Sequence, residues 1–178
     1  MKNNKLSTRE LCYIGIFVAL MAVMAQIIIP IPPIPVTMQT FAIALTGAVL
    51  GAKKGTIAAV VYLLLGAVGV PVFAGFAGGL ASFVGPAGGY LWSFPLLAFI
   101  VGLTAEKGGR YLLALGLIAG SVINLSMGML HLAFVLQLDM QAAFVAGVLP
   151  FIVPEIIKYS LVYLVAPRLK LVTASLRP

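Results

Sequence analysis

Six apolar segments follow one another along the chain, separated by short connections that are charged or rich in proline and glycine. The segments cover residues 10–29, 37–50, 56–68, 90–105, 111–136 and 142–166. Several of them reach the roughly 17–25 residues that a helix needs to cross the hydrocarbon core of a membrane. The pattern therefore predicts an all-α integral membrane protein, with a single domain over residues 1–178 and six transmembrane helices.

The first segment is long enough to cross a membrane, whereas the second and third are shorter than a comfortable span. The run over residues 11–29 exceeds the roughly 7–15 residues of a signal-peptide core, so we predict a retained transmembrane helix. It ends at the prolines between residues 30 and 35, because proline removes backbone donors. The second and third segments are short. They form either one tilted or partly re-entrant hairpin, or two helices that neighbouring loops complete.

A glycine-rich stretch over residues 69–89 joins the third and fourth segments and contains no charged residue. Glycine disfavours a stable helix, and a chain this apolar does not stay in water. A disordered linker is the alternative, but linkers are typically polar. We therefore predict a lid or re-entrant loop, which folds over the helices and presents its backbone groups to a ligand or a cavity.

Composition supports a membrane protein and argues against several other functions. Of the 178 residues, 62% are hydrophobic and 8% are charged, whereas soluble domains contain about 25% charged residues. The net charge of +7 comes from basic residues scattered singly, not from a stripe that would bind nucleic acid. One cysteine, Cys12, and one histidine, His131, leave no internal disulfide and no metal cluster. We expect neither a metal nor a nucleic acid partner.

Charged residues divide between the two sides of the predicted helix bundle. Both termini and the connections on one side carry ten basic residues: Lys2, Lys5, Arg9, Lys53, Lys54, Lys107, Arg110, Arg168, Lys170 and Arg177. The other side carries only Asp139. Because basic connections stay in the cytoplasm, the N- and C-termini are predicted to be cytoplasmic. The proline-rich loop and the glycine-rich loop between helices 3 and 4 are then external.

Two ionisable residues, Glu155 and Lys158, lie inside the sixth segment, just after Pro154. A single charge at bilayer depth costs roughly 2.5–3.5 kcal/mol, so ionisable residues there indicate a functional site. The spacing of three places both on one helical face, where they shield each other. The alternative is an ion pair that only locks helix packing. Asn124 in the fifth segment likewise either joins helices or lines the site.

This pair and the external apolar loop predict a pocket that is open to the outside and has aromatic walls. Such a pocket suits a small, mostly apolar molecule with one polar group that offers both donors and acceptors. An intramembrane enzyme fits poorly, because the sequence has no paired nucleophile and base, no nucleotide loop and no metal set. A pore fits poorly because no ring of polar residues crosses the segments.

Four stretches resemble the signature sequences of the BioY family, the biotin-binding S components of energy-coupling-factor (ECF) transporters. They are Ile-Pro-Ile-Pro-Pro-Ile-Pro-Val-Thr-Met-Gln-Thr at 29–40, Gly-Val-Pro-Val-Phe-Ala-Gly-Phe-Ala-Gly-Gly at 69–79, Gly-Pro-Ala-Gly-Gly-Tyr at 85–90 and Pro-Glu-Ile-Ile-Lys at 154–158. Their order and spacing are those of the family, and the resemblance covers essentially the whole chain. Glu155 stands where the family usually has aspartate, and Ala87 where it usually has threonine.

The resemblance implies a protein of the bacterial cytoplasmic membrane that captures biotin from outside and is not an enzyme. It implies no cofactor, and it implies a transmembrane coupling subunit and two cytoplasmic ATPase subunits as partners. The substrate-binding residues that it implies are Gln39, Phe73, Gly75, Phe76, Gly78, Gly79, Phe83, Gly88, Gly89, Tyr90, Asn124, Glu155 and Lys158. An S component for a different small vitamin is the alternative.

The chemistry of biotin suits this pocket. Glu155 accepts from the ureido N–H groups, Lys158 donates to the ureido carbonyl, and the three phenylalanines of the glycine-rich stretch contact the bicycle and the alkyl tail. The carboxylate is then expected on backbone N–H groups of residues 75–89, or at the helix N-terminus near Tyr90. The opposite orientation, with the carboxylate on Lys158, also remains open.

Small residues recur on one face of the first segment, at Gly15, Ala19, Ala22 and Ala25. In lipid, such a face lets another helix approach closely. The face packs either against this protein's own helices or against a partner. The resemblance implies the partner, because S components dock on the coupling subunit through a small-residue face of their first helix.

Overall fold

The computed structural model describes residues 6–175, which are mostly helical. In chain order the elements are α1 (Thr8–Met24), β1 (Ile28–Ile29), β2 (Val36–Thr37), α2 (Gln39–Ala67), a 3-10 turn (Ala74–Phe76), α3 (Ala81–Val84), α4 (Gly88–Lys107), α5 (Arg110–Leu136), α6 (Met140–Gly147) and α7 (Leu149–Ser175). Three of the basic residues used for the orientation, Lys2, Lys5 and Arg177, fall outside the described residues.

Four stretches in the described part of the chain are long and apolar enough to cross a membrane. They are Gln39–Ala67, Gly88–Lys107, Arg110–Leu136 and Met140–Leu171, the last combining α6 with most of α7. Many large aliphatic side chains remain exposed on these helices, among them Ile118 on α5 and Ile156 on α7. Because so extensive an apolar surface is stable in lipid and not in water, the prediction of a helical membrane protein is confirmed.

The chain reverses direction inside α2. Gly51 has a φ of +84°, which is outside the helical region and favours glycine. Gln39 Nε2 donates to the Tyr62 hydroxyl at 2.7 Å although 23 residues separate them, and 23 residues of straight helix would span about 35 Å. The backbone N–H of Ala52 donates to Glu106 Oε1 at 2.9 Å and so begins the second arm. The second and third predicted segments are therefore the two arms of one hairpin.

The first helix is shorter than predicted. α1 ends at Met24, and the residues beyond it include strand β1, where Ile28 pairs with Thr37 and Ile29 with Val36 in antiparallel register. The prediction of helix up to residue 29 was wrong, because residues that precede proline favour extended geometry. The strand pair brings Thr37 back beside the end of α1, which positions the start of α2.

The sixth segment is also divided. α6 and α7 are separated by Val148, whose φ of −122° and ψ of −54° depart from helix geometry two residues before Pro150. α7 then continues through Pro154 and Pro167 to Ser175. The predicted segment over residues 142–166 therefore comprises two helices, because Pro150 disfavours helix geometry in the residues just before it, and the second helix continues beyond residue 166.

Two contacts hold together the end of the bundle that carries the described basic residues. Lys54, just after the reversal of α2, forms an ion pair with Glu10 of α1 at 2.5 Å. Lys170 Nζ of α7 donates to the carbonyl of Ala105 near the end of α4 at 2.7 Å. The start of α1, the α2 reversal, the end of α4 and the later part of α7 thus meet at one end of the molecule.

Candidate functional site

Glu155 and Lys158 form an ion pair in the interior, and each residue is only 4% exposed. Lys158 Nζ donates to Glu155 Oε1, to Thr40 Oγ1 at 2.6 Å and to the Thr37 carbonyl at 3.1 Å. The Thr40 hydroxyl donates to Glu155 Oε1 at 2.7 Å. The predicted pair on α7 is thus held by two residues of the strand–helix junction at β2 and α2. Buried charges need such partners to offset their loss of hydration.

Thr37 and Thr40 are site residues that sequence reasoning did not select. Both lie in the proline-rich motif at residues 29–40, where Gln39 was chosen instead. The available signal was the hydroxyl itself, since a threonine in a stretch otherwise apolar must find a hydrogen-bond partner. Their distance of more than a hundred residues from Glu155 and Lys158 hid that partner from a reading of the sequence.

Two buried polar atoms beside the pair have no hydrogen-bond partner among the described residues: Glu155 Oε2 and the Tyr159 hydroxyl. A buried acceptor without a donor costs roughly 1–3 kcal/mol, and a charged group costs more. One Glu155 oxygen is thus bonded within the protein, and the other has capacity to accept a further hydrogen bond. The arrangement favours a ligand that carries an N–H or O–H donor.

A cavity of about 60 Å³ adjoins the ion pair. Five of the predicted site residues line it: Gln39, Tyr90, Asn124, Glu155 and Lys158. The volume is far below the roughly 300–1,000 Å³ of ordinary small-molecule pockets. The cavity in this structure is therefore too small for a vitamin-sized ligand, which would fit only if its walls moved apart.

The two amides at the cavity are held by other protein groups. Asn124 Nδ2 donates to the Ser93 hydroxyl at 2.6 Å and to the Tyr90 carbonyl at 3.3 Å, which joins α5 to α4. Gln39 donates to Tyr62 and accepts from Thr37. Both amides therefore support the helix framework and also face the cavity, so the two interpretations of Asn124 are compatible.

The predicted aromatic wall lies elsewhere in this structure. Phe73 and Phe83 are buried and stack edge to face with ring centroids 5.6 Å apart, while Phe76 is 71% exposed. None of the three is among the residues that line the cavity. Their contact with a ligand stays a prediction, and it requires the glycine-rich loop to shift.

The five predicted glycines have structural roles of two kinds. Gly75 and Gly79 have φ values of +67° and +87° and so permit the tight turns of the loop. The other three allow close approach: a Cβ on Gly78 would lie 2.6 Å from the Val70 carbonyl, and Gly88 and Gly89 contact His131 of α5. Their backbone groups as ligand contacts remain untested predictions.

Gln26, which follows α1, was also not selected from the sequence. Its side chain holds the glycine-rich loop through two hydrogen bonds. Its Nε2 donates to the Phe73 carbonyl at 3.0 Å, and its Oε1 accepts from the backbone N–H of Phe76 at 2.9 Å. Phe76 has a φ of +57°, which a residue with a side chain rarely adopts. The Gln26 side chain thus holds the loop at both Phe73 and Phe76, the second of which has this unusual backbone geometry.

Replacing Gln26 with alanine is expected to loosen this loop. Two hydrogen bonds worth roughly 0.5–1.5 kcal/mol each are lost, so amide exchange at residues 73–77 should accelerate by at least about fivefold. Hydrogen-exchange mass spectrometry measures this directly. Gln26→Glu keeps the acceptor for Phe76 and should give an intermediate rate. Unchanged exchange in both variants would show that other contacts hold the loop.

The small-residue face of α1 is only partly available to a partner. Gly15 and Ala19 are exposed, and no atom lies within 4 Å of a Cβ built on Gly15. Ala22 is half-buried against the core, and Ala25 is fully buried just beyond the end of the helix. The outward part of the face therefore comprises Gly15 and Ala19, and Ala25 belongs to the interior.

Comparison with known proteins identifies the relatives of this chain. The family model described as the BioY family matches residues 1–175. The chain is 46% identical over 164 residues to the "Biotin transporter BioY" of Thermotoga maritima, covering 91% of this chain and 96% of that protein. It is 43% identical over 165 residues to the "Probable biotin transporter BioY" of Pyrococcus horikoshii, covering 93% and 98%. A crystal structure of "the S-component for biotin from an ECF-type ABC transporter" superposes with a TM-score of 0.86 at 29% identity, covering 96% of this chain and 94% of that chain.

Proposed function

The chain belongs to the BioY family, and from that premise we propose how its buried ion pair serves biotin uptake. The protein is a membrane-embedded biotin transporter component of the ECF type, and its family is one of transporters, not of enzymes. The observation that carries the proposal is the free oxygen of Glu155, beside Lys158 in a cavity that is otherwise mostly apolar.

The ureido ring of biotin complements these two side chains. In the proposed complex a ureido N–H donates to Glu155 Oε2, which has no partner among the described residues, and Lys158 donates to the ureido carbonyl. A ligand without an N–H donor leaves the carboxylate oxygen buried and unpaired, which costs binding energy. This difference explains selection for a cyclic urea over an apolar molecule of similar size.

The carboxylate of biotin is proposed to lie at the N-terminus of α4. Ala87, the residue that caps this helix, lines the cavity and supplies no side-chain hydrogen bond to the first turn. Backbone N–H groups at an uncapped helix start attract anions, and the helix dipole adds to the effect. The alkyl tail then runs from the ion pair towards the glycine-rich loop, whose opening admits the ligand.

The proposed topology has six transmembrane helices with both termini in the cytoplasm and the glycine-rich loop outside. The helices are α1, the two arms of α2, α4, α5 and α7, with α6 leading into α7. Support comes from the α2 reversal at Gly51 and from the basic residues that meet at one end. Asp139, which caps α6, lies in the connection assigned to the outside.

For transport we propose a transmembrane coupling subunit and two cytoplasmic ATPase subunits as partners. Biotin is the cargo, and the proposal includes no cofactor. Two observations support dependence on partners: the whole-chain likeness to an S component, and the exposed small residues Gly15 and Ala19 on α1. A helix of the coupling subunit is proposed to pack on these residues.

A binding measurement tests the biotin assignment. The detergent-purified protein is expected to bind one biotin per chain and to become more heat-stable. A ligand that binds only the folded state adds about 2.7 kcal/mol of stability at a hundred times its dissociation constant. Thermal unfolding with biotin and with other small vitamins at matched concentration provides the control. Equal shifts from biotin and the unrelated vitamins would refute the assignment.

A further inference from the structure

A long groove runs between α5 and α7 on the outside of the bundle. It has a volume of about 550 Å³, and its lining residues recur at spacings of three and four on both helices. That spacing is typical of two helix faces that pack against each other, but here the faces stand apart. The groove spans residues 114–125 of α5, about 16 Å at 1.5 Å per residue, which is about half of the 30 Å hydrocarbon core.

A second cavity of about 480 Å³ continues the same seam at the basic end of the bundle. Arg110 and Lys170 line it, and among the described residues that line it none is acidic. The Arg110 guanidinium lies 5.9 Å from the ring centre of Tyr163, a residue that lines the groove. The cationic cavity and the apolar groove therefore adjoin each other.

The start of α5 favours an anion in this cavity. Arg110 is the first residue of α5, Gly109 before it provides no side-chain cap, and the first turn has no acidic residue. A cation at a helix N-terminus opposes the helix dipole, and the uncapped N–H groups add to the positive potential. An anion beside Arg110 would offset this positive potential, and Lys170 lines the same cavity.

We propose that the seam between α5 and α7 is a binding site for one anionic phospholipid of the leaflet at the basic end. The phosphate binds beside Arg110, in the cavity that Lys170 also lines, and one acyl chain fills the groove. Basic pockets between transmembrane helices bind anionic headgroups in this way. Glu155 lines both the groove and the cavity of the biotin site, so the acyl chain packs behind the biotin-binding pair.

Native mass spectrometry of the delipidated full-length protein tests the headgroup. Phosphatidylglycerol is expected to bind at one molecule per chain, and at least about fivefold better than phosphatidylcholine with the same acyl chains, since one cation contact contributes about 1 kcal/mol. Arg110→Gln should lower phosphatidylglycerol binding by a similar factor. Lys107→Gln, which removes an exposed cation of α4 outside the cavity, should not.

A matched pair of variants tests whether an acyl chain occupies the groove between α5 and α7. Ile118→Trp fills the groove and should reduce binding of phosphatidylglycerol, whereas Leu115→Trp changes an exposed aliphatic residue outside the groove and should have no effect. Biotin binding reports that each variant is folded. Equal binding of the two lipids, binding insensitive to both Arg110→Gln and Ile118→Trp, or equal binding of soluble glycerol phosphate would overturn the proposal.

Discussion

Replacing Lys158 or Glu155 with alanine is expected to weaken biotin binding by more than about tenfold, or about 1.4 kcal/mol. Each substitution removes a proposed ligand contact and leaves the other charge buried without its partner. Replacing Thr40 is also expected to weaken biotin binding, because its hydroxyl donates to Glu155 and accepts from Lys158. Isothermal titration of the detergent-purified variants with biotin measures the loss.

Two variants separate binding from folding. Glu155→Asp keeps the charge and should be the mildest change at that position, although its side chain is one methylene shorter. Lys107→Ala removes an exposed cation of α4 and should bind biotin as the parent does. If the alanine variants of both paired residues insert, fold and bind biotin normally, the pair is only a structural contact between α7 and the start of α2.

Ala19→Trp is expected to abolish ATP-driven biotin uptake while leaving biotin binding near normal. Ala19 is exposed on α1, one turn beyond Gly15, where no atom lies within 4 Å of a built Cβ. A tryptophan there faces lipid without clashing inside this chain, but it prevents the close approach of a partner helix. Uptake is measured in cells that supply the coupling subunit and the ATPases, and binding is measured on purified protein.

Leu115→Trp is the matched control, because Leu115 is an exposed aliphatic residue on a different helix, α5, and not on the small-residue face of α1. It should leave both binding and uptake intact. Ala22→Trp is expected to abolish uptake as well, but Ala22 packs partly against the core and that variant also tests folding. Loss of binding together with uptake in Ala19→Trp would place the face inside this protein's own packing and refute the docking proposal.

The pair at Glu155 and Lys158 shows which features of the site can be predicted from the local sequence. Their spacing of three fixes a common helical face whatever surrounds them, and the cost of charge in lipid marks them as unusual. Their burial in one ion pair follows from these two facts. The partners of the pair do not, because Thr37 and Thr40 approach α7 only after β1 and β2 have paired.

The boundaries of the helices likewise divide into those that the local sequence predicts and those that it does not. Apolar stretches locate α4 and α5 to within a few residues, because burial in lipid requires an uninterrupted apolar helix. The end of α1 and the break at Val148 depend on competition between helix and proline-directed geometry. For the first helix the prolines made that competition evident, but the end of the helix was placed at residue 29 instead of Met24.

Hydrophobicity and charge along the chain, by themselves, determined that this protein lies in a membrane, where its basic residues gather, and which two ionisable residues pair in its interior. These properties are local, so they need no knowledge of packing. Only the tertiary structure decided that α2 folds back at Gly51, that Phe73 and Phe83 stack on each other away from the cavity, and that Gln26 holds the loop. Each of these depends on contacts between residues distant in sequence, whose geometry is set by how the helices pack and not by the pattern within any one of them.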